Sequence, residues 1–85
     1  MDQIILTADR LAPGRAGRIV CLPDVGPLSK RLTELGLIPG AVLLRRYTAP
    51  GGSPIAFEIQ GALLSLRSKD AARIIVQEDD GLWTA

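Results

Sequence analysis

Proline and glycine constrain this chain more than any other feature. Pro13-Gly14, Gly26-Pro27, Gly36, Pro39-Gly40, the stretch Ala49-Pro50-Gly51-Gly52-Ser53-Pro54 and Gln60-Gly61 interrupt the aliphatic residues before any run grows long. Between these breaks, Arg18 to Leu22, Ala41 to Thr48, Ala62 to Arg67 and Arg73 to Glu78 are rich in apolar and β-branched residues and read as strands. Ile55, Phe57 and Ile59 alternate with Ala56, Glu58 and Gln60, the signature of a strand with one buried face. Ile4-Ile5-Leu6 reads as a further short apolar start. Only Leu28, Leu32 and Leu35 follow helical spacing, with Pro27 suited to the first turn and Gly36 to a left-handed C-terminal stop. Ser68 is placed to cap a single helical turn through Lys69-Asp70-Ala71. About five closely spaced strands and one helix predict a mainly β domain, a small barrel or sandwich, with the helix inserted after the first long strand. LAPG at 11–14 and LIPG at 37–40 each precede a strand, an internal echo that suits the corners of a barrel.

At 85 residues the chain is one domain, 1–85, with a thin core. Aromatics make up only 4% of it, so that core must be built from Leu, Ile, Val and Ala. The net charge of +1 is too balanced for general nucleic-acid binding. Residues 1–50 carry seven basic and four acidic side chains, and 51–85 carry three and five, a bias that hints at one positive face. With a single cysteine no intramolecular disulfide can form. No apolar run approaches the ~20 residues of a membrane helix. The N-terminus has no basic leader, so the chain reads as cytoplasmic and not membrane-embedded.

The segment Arg31-Leu32, then Glu34-Leu35-Gly36-Leu37-Ile38-Pro39-Gly40, resembles the RLxELGLxPG segment of the FeoA family, small proteins associated with bacterial ferrous iron uptake. Three further pieces follow in the family's order. They are Ala49-Pro50 with Pro54, Gly61 before Leu66-Arg67, and Ala71 with Ile74 and Val76. The resemblance runs from about Leu6 to Val76. It implies an SH3-like β-barrel, and as partner FeoB, the membrane ferrous iron transporter with a cytoplasmic G-domain. A similar domain ends the DtxR-type metal-dependent repressors. Two alternatives follow: a regulatory module acting with such a repressor, and an Fe²⁺-binding carrier. The chain departs from the family at Ala62-Leu63, which leaves an apolar outer surface, and it contains no His.

The residues themselves argue against catalysis. Without His, and with one Cys and scattered carboxylates, there is no nucleophile–base–orienter set. Gly51-Gly52 lacks the Lys-Ser/Thr of a phosphate-binding loop. No cofactor is required. For a divalent metal the neighbouring ligands are Cys21 with Asp24, and Glu78 with Asp79 and Asp80, with Glu34 and Glu58 isolated. Weak or intermolecular binding stays open, while the plainer reading makes Cys21 a buried aliphatic-like residue. Partner binding has two candidate surfaces. One is the rigid corner with Arg31, Leu35, Leu37, Ile38 and Pro39, which could equally pack over a barrel end. The other is Leu43, Tyr47 and Leu63, expected to face away from a Val42-Leu44-Leu64-Leu66 interior. This second set would serve FeoB docking or self-association, or form a small second core beneath the helix. Arg31, Arg45, Arg46 and Arg67 are all available as an arginine finger toward a GTPase, and the sequence singles out none.

Overall fold

The strand with the plainest alternation anchors the architecture. In a computed structural model that describes residues 4–23 and 26–78, Ile55–Ile59 forms a strand with Ile55, Phe57 and Ile59 all buried. Calling the strands in chain order β1 (Ile4–Thr7), β2 (Ala16–Cys21), β3 (Val42–Thr48), β4 (Ile55–Ile59), β5 (Ala62–Leu66) and β6 (Ile75–Glu78), β4 lies between β3 and β5. Phe57 faces Leu64 and Ile55 faces Leu66 across the β4–β5 hairpin. That hairpin turns on Gln60 and Gly61, both at positive φ (50° and 82°), the two-residue geometry whose twist matches the strands.

The antiparallel strands form one sheet in the order β1-β6-β2-β3-β4-β5. The short apolar start at Ile4 supplies the sixth strand. One face of this sheet curls around a single core. Val76, Ile19, Leu43, Phe57 and Leu66, from five different strands, belong to one buried cluster, and Leu6 of β1 packs on it. The sheet does not close, because its order ends at β1 and β5. Gly17 marks the tightest strand contact: a Cβ there would lie 3.0 Å from the Val76 side chain.

Two helices cap the curled sheet. Helix α1 (Pro27–Glu34) buries Leu32 and half-buries Leu28, and the single turn α2 (Ser68–Ala71) buries Ala71. Arg67, not Ser68, occupies the N-cap position of α2, without a side-chain cap bond. The Ser68 N–H donates instead to Ser53 Oγ at 3.1 Å, so the Pro-rich loop supplies the acceptor that the sequence assigned to Ser68.

The LAPG and LIPG echo has a structural counterpart. In each, the Leu is buried (Leu11, Leu37) and a four-residue turn follows, with Pro second and a positive-φ Gly third. Its closing bond runs from Arg15 N–H to the Ala12 carbonyl in one case and from Ala41 N–H to the Ile38 carbonyl in the other. Each turn then clamps the strand that follows the other turn. Gly14 N–H donates to the Arg45 carbonyl and Arg45 N–H to the Arg15 carbonyl, while Gly40 N–H donates to the Ile19 carbonyl and Ile19 N–H to the Ala41 carbonyl.

Candidate functional site

The corner after α1 is built by backbone hydrogen bonding. Leu35 is the C-cap, and Gly36 follows at φ +93°, open to solvent on the side a Cβ would occupy. Gly36 N–H donates to the Thr33 carbonyl (3.0 Å) and Leu37 N–H to the Leu32 carbonyl (2.9 Å). These two bonds define a Schellman motif, whose usual hydrophobic contact falls between the residues corresponding to Leu37 and Leu32. Both are buried in the core here. The Ile38–Ala41 turn follows at once and is clamped to β2, and Arg18 adds a guanidinium bond to the Gly40 carbonyl (2.8 Å).

This geometry sorts the corner residues that the sequence grouped together. Leu37 is 1% exposed, because the Schellman reversal turns it back onto Leu32, so it belongs to the core and not to a partner surface. Leu35 and Ile38, at 45% and 47%, stand outward, and Pro39 is also exposed. The leucine stripe therefore ends at Leu32: Leu35 has already left helical geometry, and Leu37 takes the inward position. Val20 is exposed on the strand to which the turn is bonded, and sequence reasoning did not select it. Its cue is the run of apolar residues at 19–22, longer than one buried face can absorb.

The second set divides in the same way. Leu43 is fully buried, with no exposed surface, and this corrects its placement on the outside. Along β3 the register shifts between Arg45 and Tyr47. Leu43 and Arg45 point to the core side and Tyr47 to the outside, because a bulge at Arg46 adds one residue and reverses the alternation. Val42 and Leu44 consequently belong to the outer side, where Leu44 is covered and Val42 half-buried. Tyr47 and Leu63 are exposed, as expected, in different rows: Tyr47 is opposite Ala56, and Leu63 opposite Glu58.

A second bulge, between Ile19 and Cys21, brings Cys21 opposite Ile75 on the outside of the sheet. Cys21 is thus exposed rather than buried. Glu78 accepts from Arg15 Nε at 2.6 Å, and Glu58 lies 3.6 Å from Arg46. Asp24, Asp79 and Asp80 lie outside the described residues. Among the described residues no three His, Cys, Asp or Glu side chains converge, so they do not fit a closed Fe²⁺ site.

The four arginines also part company. Arg45 turns inward and donates from Nη1 to the carbonyls of Asp9 (2.9 Å) and Leu11 (2.6 Å) and from Nη2 to Thr48 Oγ1. Its guanidinium is a structural tie between β3 and the chain at Asp9 and Leu11. Arg46 and Arg67 each face a carboxylate, Glu58 and Asp70. Arg31 is exposed and has no such partner among the described residues.

The model of the FeoA domain family matches residues 6–78. The chain belongs to the FeoA domain family. Solved structures agree with this FeoA domain in fold. The FeoA protein of Chlorobium tepidum is 29% identical, with a TM-score of 0.81 over 94% of this chain and 82% of that one. Stenotrophomonas maltophilia FeoA complexed with zinc, described as a prokaryotic SH3 domain protein, is 23% identical with a TM-score of 0.74, over 84% and 88% of the two chains. A manganese-dependent transcriptional repressor shares the fold at 18% identity and a TM-score of 0.78, over 92% of this chain and 44% of the repressor's. No curated protein sequence matches significantly. The fold is therefore the SH3-like one expected, found both in free-standing FeoA proteins and within metal-dependent repressors. No described helix is long and apolar enough to cross a membrane.

Proposed function

We propose that this protein is a non-enzymatic accessory of ferrous iron transport that docks on FeoB from the cytoplasmic side and modulates it by protein–protein contact. The observation that carries this reading is the corner itself. Leu35, Ile38 and Pro39 are held outward on backbone fixed by the Schellman bonds and by the clamp to β2. Apolar groups on such a pre-organised loop lose little conformational entropy when a partner covers them. Family membership supplies the link to ferrous iron transport, and the Stenotrophomonas maltophilia relative is named as a candidate bacterial ferrous iron transport activating factor. The repressor likeness is one of fold and adds no separate function.

The test is a titration of the protein against FeoB and against the isolated G-domain, with GTP hydrolysis followed in parallel. A Leu35→Asp/Ile38→Asp variant should fold normally and bind FeoB about 30-fold more weakly, the loss of one interfacial anchor of about 2 kcal/mol. Unchanged FeoB binding by this variant would refute the assignment of the corner. Failure of the unmodified protein to bind either form would refute the docking reading altogether.

A further inference from the structure

A groove of about 540 Å³ opens between the first turns of α1 and the α2 region. Pro27 and Leu28 give it an apolar wall, and Arg31, Arg67, Lys69 and Arg73 surround it with four cations. Asp70 is the one carboxylate in its lining, and it is already engaged: its Oδ2 lies 3.4 Å from Arg67 Nε, with only 15% of its side chain exposed. The side chains of Arg31, Lys69 and Arg73 make no hydrogen bond or ion pair with any described residue. Three cations without a counter-charge among the described residues repel one another at one concave site, and a ligand that supplies that charge relieves the repulsion. The site is pre-formed, because the Ser53 hydroxyl fixes the start of α2 and the core residues Leu32 and Ala71 hold both helices down.

The surroundings narrow the ligand. The groove is open to solvent, whereas sites for small molecules enclose most of their ligand. No aromatic side chain lines it, so a nucleobase has nothing to stack on. Its cations sit around a concavity with an apolar wall, a shape that a flat membrane surface does not enter. We propose that the groove binds an acidic, extended segment of a protein partner, its carboxylates meeting Arg31, Lys69 and Arg73 and an apolar residue lying against Pro27 and Leu28. This gives the docking reading a second contact along α1, and it rests on that reading only for the identity of the partner.

The experiment is an NMR titration of the ¹⁵N-labelled full chain with a synthetic peptide alternating Glu and Leu, and with its Gln counterpart. The Glu peptide should move the amides of residues 28–31 and 67–73 and bind less well as salt is raised. Arg31→Gln/Lys69→Gln/Arg73→Gln should weaken it roughly tenfold, three exposed pairs at about 0.5 kcal/mol each, with a melting temperature no lower than that of the unmodified protein. Equal binding of the Gln peptide, shifts confined elsewhere, no effect of the triple variant, or binding to phosphatidylserine vesicles in place of the peptide would each overturn the proposal. The triple variant is also titrated against FeoB. Peptide binding without any binding of FeoB by the unmodified protein would sink the docking reading and leave the groove standing. FeoB binding without peptide binding would do the reverse.

Discussion

Leu37 and Ile38 are neighbours with opposite environments, and truncating each to Ala separates a core role from a surface one. Leu37 is 1% exposed and lies in the cluster that also holds Leu32. Replacing a buried Leu by Ala removes its transfer free energy and leaves a cavity, at a cost of about 2–5 kcal/mol. For a domain of this size each kcal/mol lowers the melting temperature by about 4–8 °C. Leu37→Ala should therefore melt at least about 8 °C below the unmodified protein. Ile38 is 47% exposed, so Ile38→Ala should change stability by no more than about 0.5 kcal/mol, or roughly 4 °C at most. Circular dichroism melts of the two variants, with urea titrations as a second measure, supply the comparison. Leu32→Ala should couple to Leu37→Ala by about 0.5 kcal/mol or more, because the two side chains share one site. Equal melting temperatures for the two single variants, or an Ile38→Ala loss exceeding that of Leu37→Ala, would refute the Schellman anchoring of the corner.

Two glycines should fail for different reasons. Gly36→Ala meets no neighbour, so its cost is the left-handed backbone alone, about 1 kcal/mol. Gly17→Ala drives a Cβ to 3.0 Å from the fully buried Val76 and should cost more, about 1–3 kcal/mol, as urea unfolding would measure. Arg45→Met removes the donors that satisfy the Asp9 and Leu11 carbonyls and should destabilise by about 2 kcal/mol or more. Arg46→Met, at an exposed pair, should fall within about 0.5 kcal/mol, and equal losses for the two variants would contradict the structural role of Arg45.

The regular parts of this fold were legible because local rules held there. Ile55, Phe57 and Ile59 gave β4, the stripe through Leu28 and Leu32 with Pro27 and Gly36 gave α1, and the two Leu-x-Pro-Gly segments gave matching corners. Errors arose where one extra residue reversed an alternation. Strict period-2 counting through β3 put Leu43 beside Tyr47, and only the bulge at Arg46 separates them. The bulge before Cys21 likewise turned an expected core thiol outward. Bulges depend on pairing with strands distant in sequence, so local pattern does not reveal them. The sequence leaves Leu37 between core and surface, because its burial depends on two backbone bonds at the helix end. The Arg31 groove was invisible for another reason: Lys69 and Arg73 reach it from a segment more than thirty-five residues away.

The exchange of clamps between the two Pro-Gly turns bears on how this small domain would carry a load. Each turn is fastened to the strand that the other turn launches, so β2 and β3 cannot slide past one another without opening both fastenings together. A push delivered at Ile38 is therefore taken up by the paired strands and, through Arg45, by the chain around Leu11 on the far turn. The corner is a surface feature with the stiffness of the sheet, and a partner gripping it would steer the domain as one rigid piece.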